Sequence, residues 1–174
     1  HSPWSGEVVG EVSLAGPEEW EAAIVAAQKA AGVLKRWSSQ QRRQLLEALA
    51  AGVKARRDEF VHTIVAEGGK PVTYARGEMA RGVATLTLAA EEADRIGGEV
   101  LPLDLIQAAA GRWGITRRFP VGPVLGIAPF NFPFNLVAHK VGPALAAGNP
   151  ILIKPASATP LTALKLAEVY EHAG

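Results

Sequence analysis

Residues 119–160, FPVGPVLGIAPFNFPFNLVAHKVGPALAAGNPILIKPASATP, leave a chain of this kind few ways to fold. Val124–Ala128 is a short apolar run between prolines, which suits a buried strand. From Asn135 to Ala147, Leu136, Val137, Val141, Ala144 and Leu145 recur at helical spacing, and Gly148-Asn149 is a stop signal. Ile151–Ile153 reads as a second buried strand. Thr159-Pro160 reads as the start of another helix, with Thr as N-cap and Pro at the first helical position. Strand, helix, strand and helix of these lengths form a parallel βαβ unit, so the fold class is α/β. Ligands bind such sheets at the carboxyl ends of the strands, here Pro129-Phe130-Asn131 and Lys154-Pro155-Ala156-Ser157. No Gly-x-Gly-x-x-Gly is present, so the usual dinucleotide fingerprint is absent.

The preceding residues supply helices. Pro3–Val12 alternates around Ser5-Gly6 and predicts a β-hairpin. Gly16-Pro17-Glu18-Glu19 predicts a helix start, with Trp20, Ile24, Ala27, Ala31 and Leu34 as the apolar face. Ser38-Ser39 caps a second helix in which Leu45, Leu46, Leu49, Val53, Phe60 and Ile64 keep one phase. Arg42, Arg43, Lys54, Arg56 and Arg57 are its solvated face. Glu67-Gly68-Gly69-Lys70-Pro71 ends it, and a third helix runs to about Arg95 with Met79, Val83 and Leu86 inward. Glu99–Leu105 and Gly111–Phe119 are two extended segments around an alanine-rich break.

Composition excludes several classes. A net charge of +1, with both signs interspersed, gives no footprint for nucleic acid or an anionic membrane. There is no long apolar run and no signal-peptide pattern, so the expectation is a cytoplasmic protein. With no cysteine, disulfides, thiolate metal sites and a cysteine nucleophile are all excluded from these residues, and no metal site is expected.

Pro129-Phe130-Asn131-Phe132-Pro133, then Lys140-Val141-Gly142-Pro143-Ala144-Leu145, Gly148-Asn149, Lys154-Pro155 and Thr159-Pro160 closely resemble the aldehyde dehydrogenase superfamily. The order and spacing carry the resemblance, which covers essentially the whole chain. It implies an incomplete Rossmann-like parallel sheet with amino-terminal helices and a protruding oligomerisation hairpin. Residues 1–174 would be the amino-terminal part of the NAD(P)-binding domain, with 99–119 the oligomerisation strands and the catalytic domain outside this chain. The sheet expected here is incomplete, as for the front of a longer enzyme. A homodimer or homotetramer is expected of the complete enzyme, with a small aldehyde as substrate.

By resemblance, Asn131 is the oxyanion donor and Lys140 a second catalytic residue, with a role between proton transfer and structural contact. Ile127, Ala128, Pro129, Phe130, Lys154, Ala156 and Ser157 line the coenzyme, NADP or NAD. Phe130 stands where the family often has Trp. Phe132, Asn135, Leu136 and His139 line the aldehyde site. Asn135 and His139 are four apart on one helix, and a polar pair there suits a short hydroxylated aldehyde, as in the lactaldehyde/glycolaldehyde-like branch. Ser157 occupies a position where the family often has Glu. A neutral donor there, with Lys154 nearby and a helix amino end following, favours NADP. The family's cysteine nucleophile, glutamate base and later glycine-rich turn are missing, so this segment alone is expected to be inactive. Two alternatives stand beside this reading: an acyl-phosphate or acyl-CoA reductase of the same fold, and a non-catalytic coenzyme-binding or assembly module.

Overall fold

The structure, a computed structural model, describes residues 1–173. Gly174, the last residue of the expected domain span, lies outside the described residues. Four helices come first: α1 (Pro17–Leu34), α2 (Ser39–Ala55), α3 (Arg57–Gly68) and α4 (Val72–Ala93). A hairpin of β1 (Val100–Pro102) and β2 (Trp113–Ile115) follows, then β3 (Val124–Ile127), α5 (Asn135–Ala146), β4 (Ile151–Lys154) and α6 (Leu161–Ala173). β3 and β4 pair in parallel, Val124 opposite Ile151 through Ile127 opposite Lys154. The βαβ unit is therefore present, and its sheet has two strands among the described residues.

The core lies between the helices. Leu46, Leu49 and Val53 of α2, Phe60 and Ile64 of α3, Met79 and Leu86 of α4 and Phe134 before α5 are fully buried. Phe134 packs on Phe60 with ring centroids 5.3 Å apart and planes 59° apart. It fits because α4 carries Gly82, where a Cβ would fall 2.2 Å from the Phe134 ring. Removing such a buried ring costs about 3–5 kcal/mol. The turn that follows β3 is thus pinned to the core by its own aromatic residue.

Several expectations need correction. Residues 3–12 form no hairpin: Ser2 and Glu7 close a tight turn at 2.8 Å, and no strand is formed by the residues that follow. The alternation had no partner to pair with, and Trp4 instead donates its ring N–H to the Gly69 carbonyl at 2.8 Å. The helix expected to run from Ser39 to Glu67 is two helices, broken at Arg56 (φ −95°, ψ 18°). Val53 and Phe60 are seven apart and stay in phase across the break, so periodicity could not reveal it. Arg42 is not simply solvated, since it donates to the carbonyls of Ala146 (2.9 Å) and Trp37 (3.0 Å). Arg56 is also engaged, with Glu59 and with Glu168 of α6. On α1, which packs against β4, Ala27 and Leu34 are buried, but Trp20 and Ile24 are 38% and 40% exposed.

The capping signals fared better. Gly16 precedes α1 and donates its N–H to Glu19 at 2.7 Å. Ser38 caps α2 reciprocally with Gln41. Gly148, at φ 78°, follows the end of α5.

Candidate active site

The parallel register brings two strand ends side by side. The Ala128 N–H donates to the Lys154 carbonyl at 3.1 Å, just past the last paired residues. Pro129, Phe130 and Asn131 then turn away into α5, while Pro155, Ala156 and Ser157 turn toward α6. Thr159 ties the turns together by donating its hydroxyl to the Phe130 carbonyl at 3.4 Å.

The first turn is held from below. Lys70, in the connection between α3 and α4, donates its ammonium to the Asn131 carbonyl at 2.6 Å. The same ammonium pairs with Glu78 of α4, whose side chain is fully buried. The Glu78 Oε1 accepts the backbone N–H groups of Phe134 at 2.9 Å and Asn135 at 3.1 Å. Glu78 therefore neutralises Lys70 and caps the start of α5, which has no capping side chain of its own. Asn131 is left exposed with its backbone fixed at one end of this chain of bonds.

Phe132, the next residue, lies between two cations. Lys70 Nζ is 4.1 Å from its ring centroid, and the Arg81 guanidinium carbon is 4.8 Å away. On α5, Asn135 is buried and its Oδ1 has no hydrogen-bond partner. Leu136 is half-buried. His139 is exposed, with its Nε2 3.4 Å from the hydroxyl of Thr85 on α4. The structure thus does not present Asn135 and His139 as one open polar pair: Asn135 is drawn into the α4–α5 seam. Lys140 is half-buried, bonds back to the Leu136 carbonyl at 3.2 Å, and lays its stem over β3 where Gly126 leaves room.

At the second turn, Lys154 and Ala156 are half-buried and Ser157 is exposed. Ile127 and Phe130 are 63% and 64% exposed, Pro129 is exposed, and Ala128 is buried. Lys154 makes no ion pair among the described residues. An open edge with a lysine and a free hydroxyl fits an extended ligand bearing ribose hydroxyls and phosphates, such as NAD(P).

The amino end of α6 does not join that edge as expected. Its free N–H groups at Leu161 and Thr162 donate to the Glu67 carboxylate at 2.8 and 3.0 Å, and the Thr162 hydroxyl does the same. An internal carboxylate already occupies this anion-favouring terminus. The helix begins at Leu161, and Thr159 spends its hydroxyl on Phe130 instead of capping it. Burial pushes the Glu67 carboxyl up, against the lowering effect of these hydrogen bonds.

Lys70, Glu67, Glu78 and Arg81 had no assigned role at the site from sequence. Glu78 did leave a signal. It occupies the same helical stripe as Ala75, Met79, Gly82 and Leu86, and a carboxylate in core phase must have partners.

The chain matches the aldehyde dehydrogenase family over residues 1–174. It is 40% identical over 171 residues to a 3-sulfolactaldehyde dehydrogenase of Priestia aryabhattai, covering 98% of this chain and 35% of that protein. Among solved structures, it resembles aldehyde dehydrogenase 21 from Physcomitrella patens, in complex with the reaction product succinate. That likeness has a TM-score of 0.91 at 44% identity, covering 94% of this chain and 34% of the other. It also resembles a glyceraldehyde-3-phosphate dehydrogenase from Methanocaldococcus jannaschii complexed with NADP, with a TM-score of 0.93 at 38% identity, covering 99% and 36%. The chain spans about a third of the length of the curated relatives it matches.

Proposed function

Because this chain belongs to the aldehyde dehydrogenase family, we propose that it supplies the coenzyme-side strands and the oxyanion donor of an enzyme oxidising an aldehyde to a carboxylic acid. The observation that carries this reading is Asn131, exposed at the carboxyl end of β3 while Lys70 holds its carbonyl.

The chemistry follows from what a carboxamide can do. A thiolate attacks the aldehyde carbon, the carbonyl electron pair moves onto oxygen, and a thiohemiacetal anion forms. These residues contain no cysteine, so the thiolate comes from elsewhere in the complete enzyme. The Asn131 NH2 donates to the new oxyanion and keeps its own protons. The oxygen therefore stays anionic, and NAD(P), held by the residues at the two strand ends, would supply the acceptor for the hydride that its collapse expels. Water then releases the acid from the thioester. Phe132, Leu136 and His139 line the aldehyde side in this reading, with Asn135 buried behind them, and Lys140 steadies α5 over β3.

For the coenzyme, Ile127, Ala128, Pro129, Phe130 and Ala156 line its path, and Lys154 reaches its ribose. Ser157 leaves room for a 2′-phosphate where a carboxylate would repel it, which favours NADP alone or beside NAD. The NADP complex of the similar glyceraldehyde-3-phosphate dehydrogenase supports this choice. We assign a short polar aldehyde as substrate. The similar proteins act on 3-sulfolactaldehyde, yield succinate, or bear the name of glyceraldehyde-3-phosphate. The β1–β2 hairpin is a subunit contact of a homodimer or homotetramer.

The test is Asn131→Ala in the full-length enzyme. We expect kcat to fall by about two to three powers of ten, as for loss of an oxyanion donor, with coenzyme affinity little changed. Unchanged turnover in a folded variant removes Asn131 from the mechanism.

A further inference from the structure

Residues 67–70, at the end of α3 and in its connection to α4, are assigned to no ligand, yet they hold both turns of the site. Lys70, with a side chain only 16% exposed, donates to the Asn131 carbonyl at 2.6 Å and pairs with Glu78. Glu67, three residues earlier and 6% exposed, accepts the Leu161 and Thr162 N–H groups at 2.8 and 3.0 Å. Those groups open α6, directly after the turn that carries Lys154, Ala156 and Ser157. Removing two charged side chains from water is costly, and here each is spent on the backbone of one turn.

The connection is itself braced from outside. Gly69 is left-handed, at φ 63°, and its N–H closes α3 on the Val65 carbonyl at 3.0 Å. Its own carbonyl accepts the Trp4 ring N–H at 2.8 Å, and a Cβ at this position would lie 2.6 Å from Pro3 Cγ. The amino-terminal segment also reaches α6, since a Cβ at Gly10 would lie 3.0 Å from Leu161 Cδ1. The direct side-chain tie between the two turns is weaker: Thr159 bonds the Phe130 carbonyl at 3.4 Å.

We propose that residues 67–70 form a bracket that sets the distance between the oxyanion donor and the coenzyme edge, with Lys70 and Glu67 as positioning residues. This rests on the reading of Asn131 as the donor. Lys70 fixes the donor's turn, Glu67 fixes the start of the helix that follows the coenzyme turn, and two intervening glycines keep both in register. Reactions between held groups are sensitive to such a distance: a misplacement of about 1 Å can cost on the order of 100-fold.

The experiment strains the bracket without touching either turn. Gly69→Ala keeps Glu67, Lys70 and Glu78 but forces alanine into a left-handed conformation against Pro3. In the full-length enzyme without coenzyme, hydrogen exchange should quicken about 5- to 30-fold, the size of that strain, in both residues 128–135 and residues 155–162. With whichever of glycolaldehyde, lactaldehyde and propanal is oxidised fastest, kcat should fall about 10- to 100-fold, and the aldehyde KM should hold within about threefold. Lys70→Met combined with Glu78→Gln removes both charges together, leaves no buried charge unpaired, and should lower kcat similarly. On an Asn131→Ala background the same pair should cost less than about twofold more, because it acts through Asn131. Leu49→Ala, in the core of α2, destabilises the protein without reaching the bracket and should keep kcat. Exchange that quickens in neither turn or in only one, an unchanged kcat in Gly69→Ala, or a full further loss on the Asn131→Ala background would overturn the bracket. So would a kcat loss in Leu49→Ala as large as that in Gly69→Ala. If no aldehyde is oxidised, or Asn131→Ala alone leaves turnover unchanged, it is the reading of Asn131 that fails. Exchange then decides the bracket by itself: it stands if both turns loosen in Gly69→Ala and falls if they do not.

Discussion

Glu78 is the residue on which the turn depends. One oxygen accepts two backbone N–H groups at the start of α5, and the other pairs with Lys70. Glu78→Ala would uncap α5 and leave Lys70, whose side chain is only 16% exposed, without its counter-charge. Breaking a buried pair from one side costs about 3–5 kcal/mol, so urea unfolding of the full-length variant should show a loss near that range. Glu78→Gln keeps an acceptor for the two N–H groups and should lose less. A loss under about 1 kcal/mol for Glu78→Ala would fit an exposed ion pair instead. The difference in legibility between Asn131 and Glu78 is physical. Asn131 stands among prolines and aromatics at a strand end, where its type and neighbours mark a ligand turn. Glu78 stands in a helix among alanines and glycines, and its partners are backbone groups of a turn more than fifty residues later. Nothing local names them. Asn135 is a similar case: its spacing from His139 places both on α5, but only the packing of α4 decides that one is buried and the other open.

At the scale of elements, the junction of α3 with α6 shows how a cap can come from a distant part of the chain. Thr159-Pro160 had the local form of a helix start, and α6 does begin beside it. The capping oxygen belongs to Glu67 of α3. Local signals place a helix end to within a residue or so, but they do not say which side chain satisfies it. The break between α2 and α3 leaves no mark in the sequence because the apolar phase is continuous across it. The cap has a consequence for pH. Burial raises the folded pKa of Glu67 above its ordinary value of 4.5. Between that value and the raised one, the folded protein holds a proton that the unfolded chain has released. The associated stability is thus fully present below about pH 4.5 and is lost as pH rises through the folded pKa. Glu67→Gln cannot titrate. Across pH 4 to 7, the Tm of the full-length wild type should therefore fall relative to that of Glu67→Gln and then level off. Parallel Tm curves would show that Glu67 has the same pKa folded and unfolded.

At the scale of the whole molecule, the apolar surface left open has a pattern. In β3, Leu125 and Ile127 alternate with Gly126, which faces α5, and they are 54% and 63% exposed. A two-stranded sheet with one face bare is a marginal structure by itself, and the relatives are about three times as long as this chain. No helix among the described residues is long and apolar enough to cross a membrane. The other open surface is the hairpin. Val100 pairs with Ile115 and Pro102 with Trp113, placing these side chains on one face of the ribbon. Trp113, Ile115 and Val100 are 65%, 66% and 70% exposed, and Leu105 and Ile106 in the connection are open as well. A tryptophan beside β-branched residues on a protruding ribbon is the composition of an interface centre, where a few aromatic anchors carry most of the affinity. Subunit contact through this face therefore predicts that Trp113→Ser combined with Ile115→Ser will lower the molar mass of the full-length protein toward the monomer, measured by light scattering during gel filtration. The helical core lies apart from these side chains, so the variant should keep its far-ultraviolet circular dichroism. If the mass is unchanged while the fold persists, the hairpin is an exposed ribbon and the subunits meet elsewhere.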